Sequence, residues 1–414
     1  MTQFTRRDGS LHIEAVALSG IALQYGTPCF VYSRAALQTA LNEYHQVLGG
    51  HDASVCYAVK VNSNLAILNL FAKLGAGFDI VSGGELIRVL AAGGDPAKVV
   101  FAGVGKSEAE MRLALGAGIR CFNVESASEL ERLNRVAAQM DKIAPIALRV
   151  NPDVDPKTHP YISTGLRHNK FGIAFDEARQ LYRHARDLSN LRIVGIACHI
   201  GSQLLDSAPI VEAAEKIIFL ADSLAAEGIV LKQMDFGGGL GIRYQDEAPP
   251  SVAEYLAPLL ARFDGRTEHL LFEPGRSLVG NAGVMLTRIE YLKHGTEKNF
   301  AVVDAAMNDL IRPALYDAWH DIVTVEQRET AAQVYEVVGP VCESGDFLGH
   351  ARNLAVIEGD LLAVMSSGAY AMSMSSNYNS RPRAAEVLVD ANRVFEIRRR
   401  ERPEDLFELE SVPR

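Results

Sequence analysis

The sequence predicts an α/β chain: a (β/α)8 barrel of the TIM type, followed by a second, mainly antiparallel β domain. Three observations carry this. Eight short apolar segments, separated by helical patterns, lie between residues 54 and 274. Each is nearly continuous in Val, Ile, Leu and Phe rather than alternating, as parallel strands buried on both faces are. After residue 275 the rhythm changes to short extended runs divided by Gly, Asn, Asp and Pro, the pattern of antiparallel strands. The length agrees: 414 residues exceed one ordinary core, and a barrel takes about 250 as one unit.

In chain order, the first 25 residues read as a short strand and a helix leading to GTPCFVY. The strand segments are SVCYAV (54–59), GFDIV (77–81), KVVFAG (98–103), IRCFNV (119–124), APIALRV (144–150), IVGIACHI (193–200), LKQMDF (231–236) and HLLFEP (269–274). Between them, helices are expected at 64–75, from GGELIRVLAAG, at 107–117, 126–140, 176–189, 208–227 and 251–262. Eight such units can close a barrel. An open doubly wound sheet predicts the same alternation, so periodicity leaves both open. Beyond 275, NAGVMLTRIEYLKHG, NFAVVDA, AAQVYEVVG, NLAVIEG, DLLAVMS and AAEVLVD are extended runs, with a helical turn at 309–318. The expected division is a barrel over 26–275 and a β-rich domain over 276–414, with 1–25 packing onto the latter.

Composition narrows the function. Hydrophobic residues make up 48% and charged residues 22%, ordinary for a globular protein. A net charge of −10 and a pI near 5.6 give no basic footprint for nucleic acid. The run Arg398-Arg399-Arg400-Glu401-Arg402 reads as a solvated edge. The five cysteines, at 29, 56, 121, 198 and 342, have no metal-ligand spacing and are odd in number. Reduced thiols in the cytoplasm are therefore expected, with no metal. No apolar stretch approaches the roughly 20 residues that span a bilayer, and the start lacks an apolar signal segment. His159, His168 and His199 do not have metalloenzyme spacing.

Chemistry in a βα barrel gathers at the C-terminal ends of the strands. Lys60 stands there after SVCYAV. A lysine beside buried strand residues is a candidate nucleophilic amine, able to bond a carbonyl or an aldehyde cofactor. His199 ends the sixth segment; Asp235, Gly237, Gly238, Gly239 and Gly241 end the seventh. Glycines there let backbone N–H groups approach an anion, yet the run is not a GxGxxG before a long helix. Glu273-Pro274-Gly275-Arg276 ends the eighth and sets a carboxylate beside a guanidinium. Asp309, Arg312 and Tyr316 share one face if 309–318 is helical. Cys342-Glu343 lies in a Gly- and Pro-rich loop, and Tyr370 in a polar, turn-rich segment.

The segments YAVKVNSN, FDIVSGGEL, NPDVDPKTHPYISTGLRHNKFGI, HIGSQ, DFGGGLGI, EPGRSLVGNAG, MNDLIRPALYDAWHDI, GPVCESGDFLG and GAYAMSMSSNYNSRPR span almost the whole chain. Together they resemble the bacterial diaminopimelate decarboxylases, fold-type III pyridoxal-phosphate enzymes. The resemblance implies the barrel, a C-terminal β domain that recruits the N-terminal segment, and a homodimer with shared active sites. It implies decarboxylation of meso-diaminopimelate to L-lysine, the last step of lysine biosynthesis. Lys60 would be the Schiff-base lysine on pyridoxal 5'-phosphate, His199 would stack on its ring, and Glu273 would partner the pyridine nitrogen. Ser202, Gly239, Gly275, Arg276 and Tyr370 resemble the phosphate cradle. Asp79 and Glu85 match supporting acids, and Arg149 matches a barrel arginine. Arg276, Arg312, Tyr316 and Tyr370 resemble substrate contacts. Glu343 would read the distal ammonium and Cys342 would donate a proton, both from the partner subunit. Val61 departs from the alanine common beside the lysine but is equally apolar.

Overall fold

In a computed structural model describing residues 4–155 and 170–413, the eight apolar segments form eight strands of one sheet. They are Ala53–Ala58, Gly77–Ile80, Val99–Phe101, Cys121–Val124, Ala144–Asn151, Leu191–Ala197, Gln233–Asp235 and His269–Phe272. All neighbours run parallel, and the last strand pairs with the first through Leu270↔Ala53, Leu271↔Ser54 and Phe272↔Val55. That pairing closes the sheet, so the chain forms a barrel and not the open sheet that shares its periodicity. Small residues fill the interior: Cys56, Val100, Cys121, Ala147, Ala197 and Leu271 form one buried cluster. Two of the five cysteines are thus interior packing, and all five are free.

The helices start where the sequence places a cap. Ser82, Ser107, Ser126 and Ser251 each accept an N–H from a glutamate three residues on. Such caps satisfy donors that the first helical turn leaves open. Ser107 and Ser251 complete a reciprocal capping box with Glu110 and Glu254. Glu85 and Glu129 instead turn toward the strand ends: Glu85 accepts the Val81 N–H at 2.7 Å and Glu129 that of Glu125 at 3.0 Å. The same local signal therefore yields two reciprocal capping boxes and two caps whose glutamates are diverted to the strand ends.

The chain divides into two compact units. One, Leu41–Ile242 with Ala248–Ser277, holds the barrel; the other joins the chain up to Ala40, Arg243–Glu247 and the chain from Leu278. The boundary expected at residue 26 differs from this. Cys29–Ser33 is a strand of the second unit, antiparallel to Gly283–Lys293 and parallel to Ala385–Asp390. The sheet there is otherwise mainly antiparallel. Phe4, Leu11, Ile13, Leu18 and Ile21 of the N-terminal segment pack with Val31, Leu286 and Val387 in its core. The helix expected at 309–318 is shorter, Arg312–Tyr316. Pro313 fits only the first turn of a helix, and Asp317 ends it in a left-handed conformation. Asp309 lies in the preceding turn, where its carboxylate accepts the Ala306 N–H at 3.0 Å. No helix among the described residues is long and apolar enough to cross a membrane.

The sixth barrel strand carries a register shift between Ile193 and Gly195. A Cβ on Gly195 would stand 2.4 Å from Gln233 Cγ and 2.5 Å from Gln233 O. Gly195→Ala should therefore lower stability by about 2 kcal/mol or more, read as a fall in the urea midpoint at unchanged slope; an unchanged midpoint would contradict this packing.

Candidate active site

Lys60 sits on a single turn, Val59–Val61, directly after the first barrel strand. Its Nζ lies 2.6 Å from Oδ2 of Asp79, on the adjacent strand. Asp79 is 1% exposed, and its Oδ1 has no hydrogen-bond partner among the described residues. Glu85, one turn into the following helix, is pushed up to about 7 by burial, with the Asp79 charge adding to the rise and the Val81 N–H opposing it.

His199 follows the sixth strand. Burial, then the Arg149 and Lys60 cations, hold its imidazole well below the usual range, so it is neutral at pH 7. Gly237 lines its edge: a Cβ there would stand 2.4 Å from His199 Nδ1, and φ is +64°. Only glycine fits both the space and the backbone. Gly237 also links the two acids of the last strands. Its N–H donates to Asp235 Oδ1 at 2.9 Å, and its carbonyl accepts the Glu273 N–H at 2.7 Å. Asn123 Nδ2 donates to Asp235 Oδ2 at 3.2 Å.

Asp235 and Glu273 interact with one another, and burial raises both carboxyls above their usual range. Burial, then the charges of Asp235 and Asp79, raise Glu273 well above the usual carboxyl range. Two interacting carboxyls in a dry site resist ionising together. Glu273 Oε1 is buried with no partner among the described residues. Beside it, Arg276 reaches Ser202 Oγ from Nη2 at 3.2 Å and Nε at 3.4 Å. Gly239 adopts φ +111°, and Gly275 packs so tightly that a Cβ would meet Val61 Cγ2 at 2.4 Å.

Arg149 is held by Glu125 at 2.9 Å and lies 4.9 Å over the Phe171 ring. Glu125 also accepts the N–H groups of Gly103 and Gly172. Sequence reasoning missed Glu125 and the buried Lys106–Glu129 pair at 2.7 Å beside it. The ion-paired residues lie 24 apart for Arg149 and Glu125 and 23 apart for Lys106 and Glu129, so no local spacing pairs them.

In the second unit, Arg312 and Tyr316 stand one turn apart on their short helix. Arg312 meets His320 Nε2 at 2.7 Å and covers the Tyr244 ring at 4.6 Å; neither neighbour was singled out from sequence. Cys342 and Glu343 are exposed. Their turn is held by Asp346, which accepts the N–H groups of Met307 and Val341, and by Asn379, which accepts that of Cys342. Tyr370 holds φ at +55°, rare for a residue with a side chain. Among the described residues no cluster could hold a metal ion; His159 and His168 lie outside them.

The barrel residues thus offer an amine opposite a carboxylate, a neutral imidazole, a buried acid of raised pKa with an open oxygen, and closely packed glycines. This donor set suits an aromatic aldehyde cofactor bearing a ring nitrogen and an anion. Residues 34–280 match the family described as pyridoxal-dependent decarboxylase, pyridoxal binding domain. The diaminopimelate decarboxylase of Pseudomonas aeruginosa is 58% identical, over 100% of this chain and 99% of its own. The chain belongs to the diaminopimelate decarboxylase family. The relative from Vibrio cholerae is also 58% identical, over 98% of both chains. The Helicobacter pylori diaminopimelate decarboxylase, solved with L-lysine, superposes with a TM-score of 0.92 at 42% identity, covering 95% of this chain and 99% of that one.

In this family member, Glu85 should titrate near pH 7, observable by carbon NMR of labelled glutamate. Asp79→Asn removes a charge that raises it, so the midpoint should fall. A midpoint that stays put or rises would show that the two acids do not interact.

Proposed function

We propose that this chain releases carbon dioxide from the D-configured centre of meso-2,6-diaminopimelate and yields L-lysine, with pyridoxal 5'-phosphate as cofactor. The observation that carries the reading is the state of the carboxyl groups around Lys60. Asp79 binds the amine directly, whereas Glu273 is held well above the usual carboxyl range by burial and keeps an oxygen open. This cofactor requires an amine and a ring-nitrogen partner, and Lys60 and Glu273, which follow two paired strands of the barrel, would provide them.

Lys60 would hold the cofactor through its amine. His199 would stack on the ring, and Glu273 would partner the pyridine nitrogen. Ser202, Gly239, the backbone of Gly275 and Arg276, and Tyr370 would take the phosphate. When bound, pyridoxal phosphate supplies an electron sink for the pair left by carbon dioxide. Orientation and protons remain the protein's task. Arg276, Arg312, Tyr316 and Tyr370 would bind substrate, with the cations on its distal carboxylate. Glu343 would take the distal ammonium, and Cys342 would protonate the carbon that loses its carboxyl group. Both of these exposed residues would come from the partner subunit of a homodimer. A pocket that recognises opposite charges rejects substrates lacking one, because its own groups are left unpaired.

Labelled carbon dioxide release tests this. Release from meso-diaminopimelate, with L-lysine formed, should exceed that from ornithine, arginine or lysine by at least about 100-fold. Lys60→Ala should lose the visible absorbance of bound cofactor and at least about 1000-fold in rate. Rapid release from another amino acid, with no lysine from meso-diaminopimelate, would overturn the substrate assignment.

A further inference from the structure

His320 is fully buried, and both of its ring nitrogens are engaged. Nδ1 lies 2.9 Å from the Met365 carbonyl, a group that only accepts, so Nδ1 carries the hydrogen. Nε2 lies 2.7 Å from Arg312 Nη1, a group that only donates, so Nε2 presents its lone pair. Neither partner can exchange roles. The neutral Nδ1–H form is the one tautomer that satisfies both contacts.

The backbone is fixed as well, since Arg352 Nη2 donates to the His320 carbonyl at 2.8 Å. Tyr244 completes the seat: its ring packs edge-on to the imidazole, 5.2 Å away at 76°, and lies under the Arg312 guanidinium. Arg312 is thereby gripped from its edge by a lone pair and from its face by a π-system. An imidazole acceptor also brings no opposite charge, as a carboxylate at the same place would.

We propose that His320 is a positioning residue that fixes the Arg312 guanidinium for an anionic group of the substrate. This rests on the reading of Arg312 as a substrate-carboxylate contact. It assigns to a residue outside that contact the job of setting binding rather than chemistry. Restraining a long side chain in advance spares the entropy of ordering it on binding.

Two isosteres separate the ring's two contacts. In H320N the amide stands where Nδ1 was and keeps the Met365 bond while losing the acceptor for Arg312. In H320Q the amide oxygen stands where Nε2 was and keeps that acceptor. Steady-state decarboxylation of meso-diaminopimelate by the cofactor-loaded enzyme is measured for both variants, for R312A and for R312A/H320N, with melting temperatures recorded. H320N should raise KM roughly 10- to 100-fold with kcat within about threefold. H320Q should recover most of that loss, and H320N should add little once Arg312 is gone. Equal KM increases in H320N and H320Q, a loss confined to kcat, or full additivity with R312A would overturn the proposal while leaving the Arg312 reading intact. An unchanged KM in R312A would overturn both.

Discussion

Three carboxyl groups, Asp79, Asp235 and Glu273, interact with one another and with the Lys60 ammonium at the mouth of the barrel. They cannot all be charged: a buried carboxylate keeps its charge only where donors or cations meet it. Asp79 has the lysine. Asp235 has the Gly237 N–H and Asn123. Glu273 Oε1 has no partner among the described residues, and burial, then the charges of Asp235 and Asp79, raise this carboxyl well above its usual range. Much of the surrounding structure follows from this unequal division. Gly237 must be glycine, because its φ is +64° and a Cβ would stand 2.4 Å from His199 Nδ1. His199 is neutral at pH 7, because burial, and then the Arg149 and Lys60 cations, hold its imidazole well below the usual range. In the proposed reading, the raised Glu273 carboxyl is suited to a ring nitrogen that arrives to share a proton.

Which parts of this were legible in the sequence depends on how far each residue's partner lies. The barrel strands were readable to within a few residues, because burial on both faces leaves a continuous apolar run. Cys29–Ser33 has the same apolar character, yet it belongs to the other unit. Its partner Ala385–Asp390 lies some 350 residues on, and no local pattern reports a pairing at that distance. The helix near Arg312 was overextended for a different reason. Spacing put Asp309, Arg312 and Tyr316 on one face, but the Asp309 side chain bonds a backbone N–H three residues before it and builds a turn instead. Residues that bear chemistry were visible through a family resemblance. Those that support them, such as Glu125 and His320, were not, because each is defined by contacts that assemble only in the fold.

The arginines show how such support divides by role. Arg149 is held by Glu125, which also ties down the loop ends at Gly103 and Gly172. That pairing sets an opposite charge against the guanidinium, so Arg149 acts mainly as a strut and as one source of the field that keeps His199 neutral. Arg276 and Arg312 are oriented differently, by the hydroxyl of Ser202 and the imidazole of His320. A hydroxyl or a neutral imidazole fixes a guanidinium without adding negative charge of its own. An arginine meant to meet an anion benefits from that distinction, since a carboxylate orienter would compete with the ligand for the same charge. In the proposed reading, the orienting partner is thus what distinguishes Arg149 from Arg276 and Arg312.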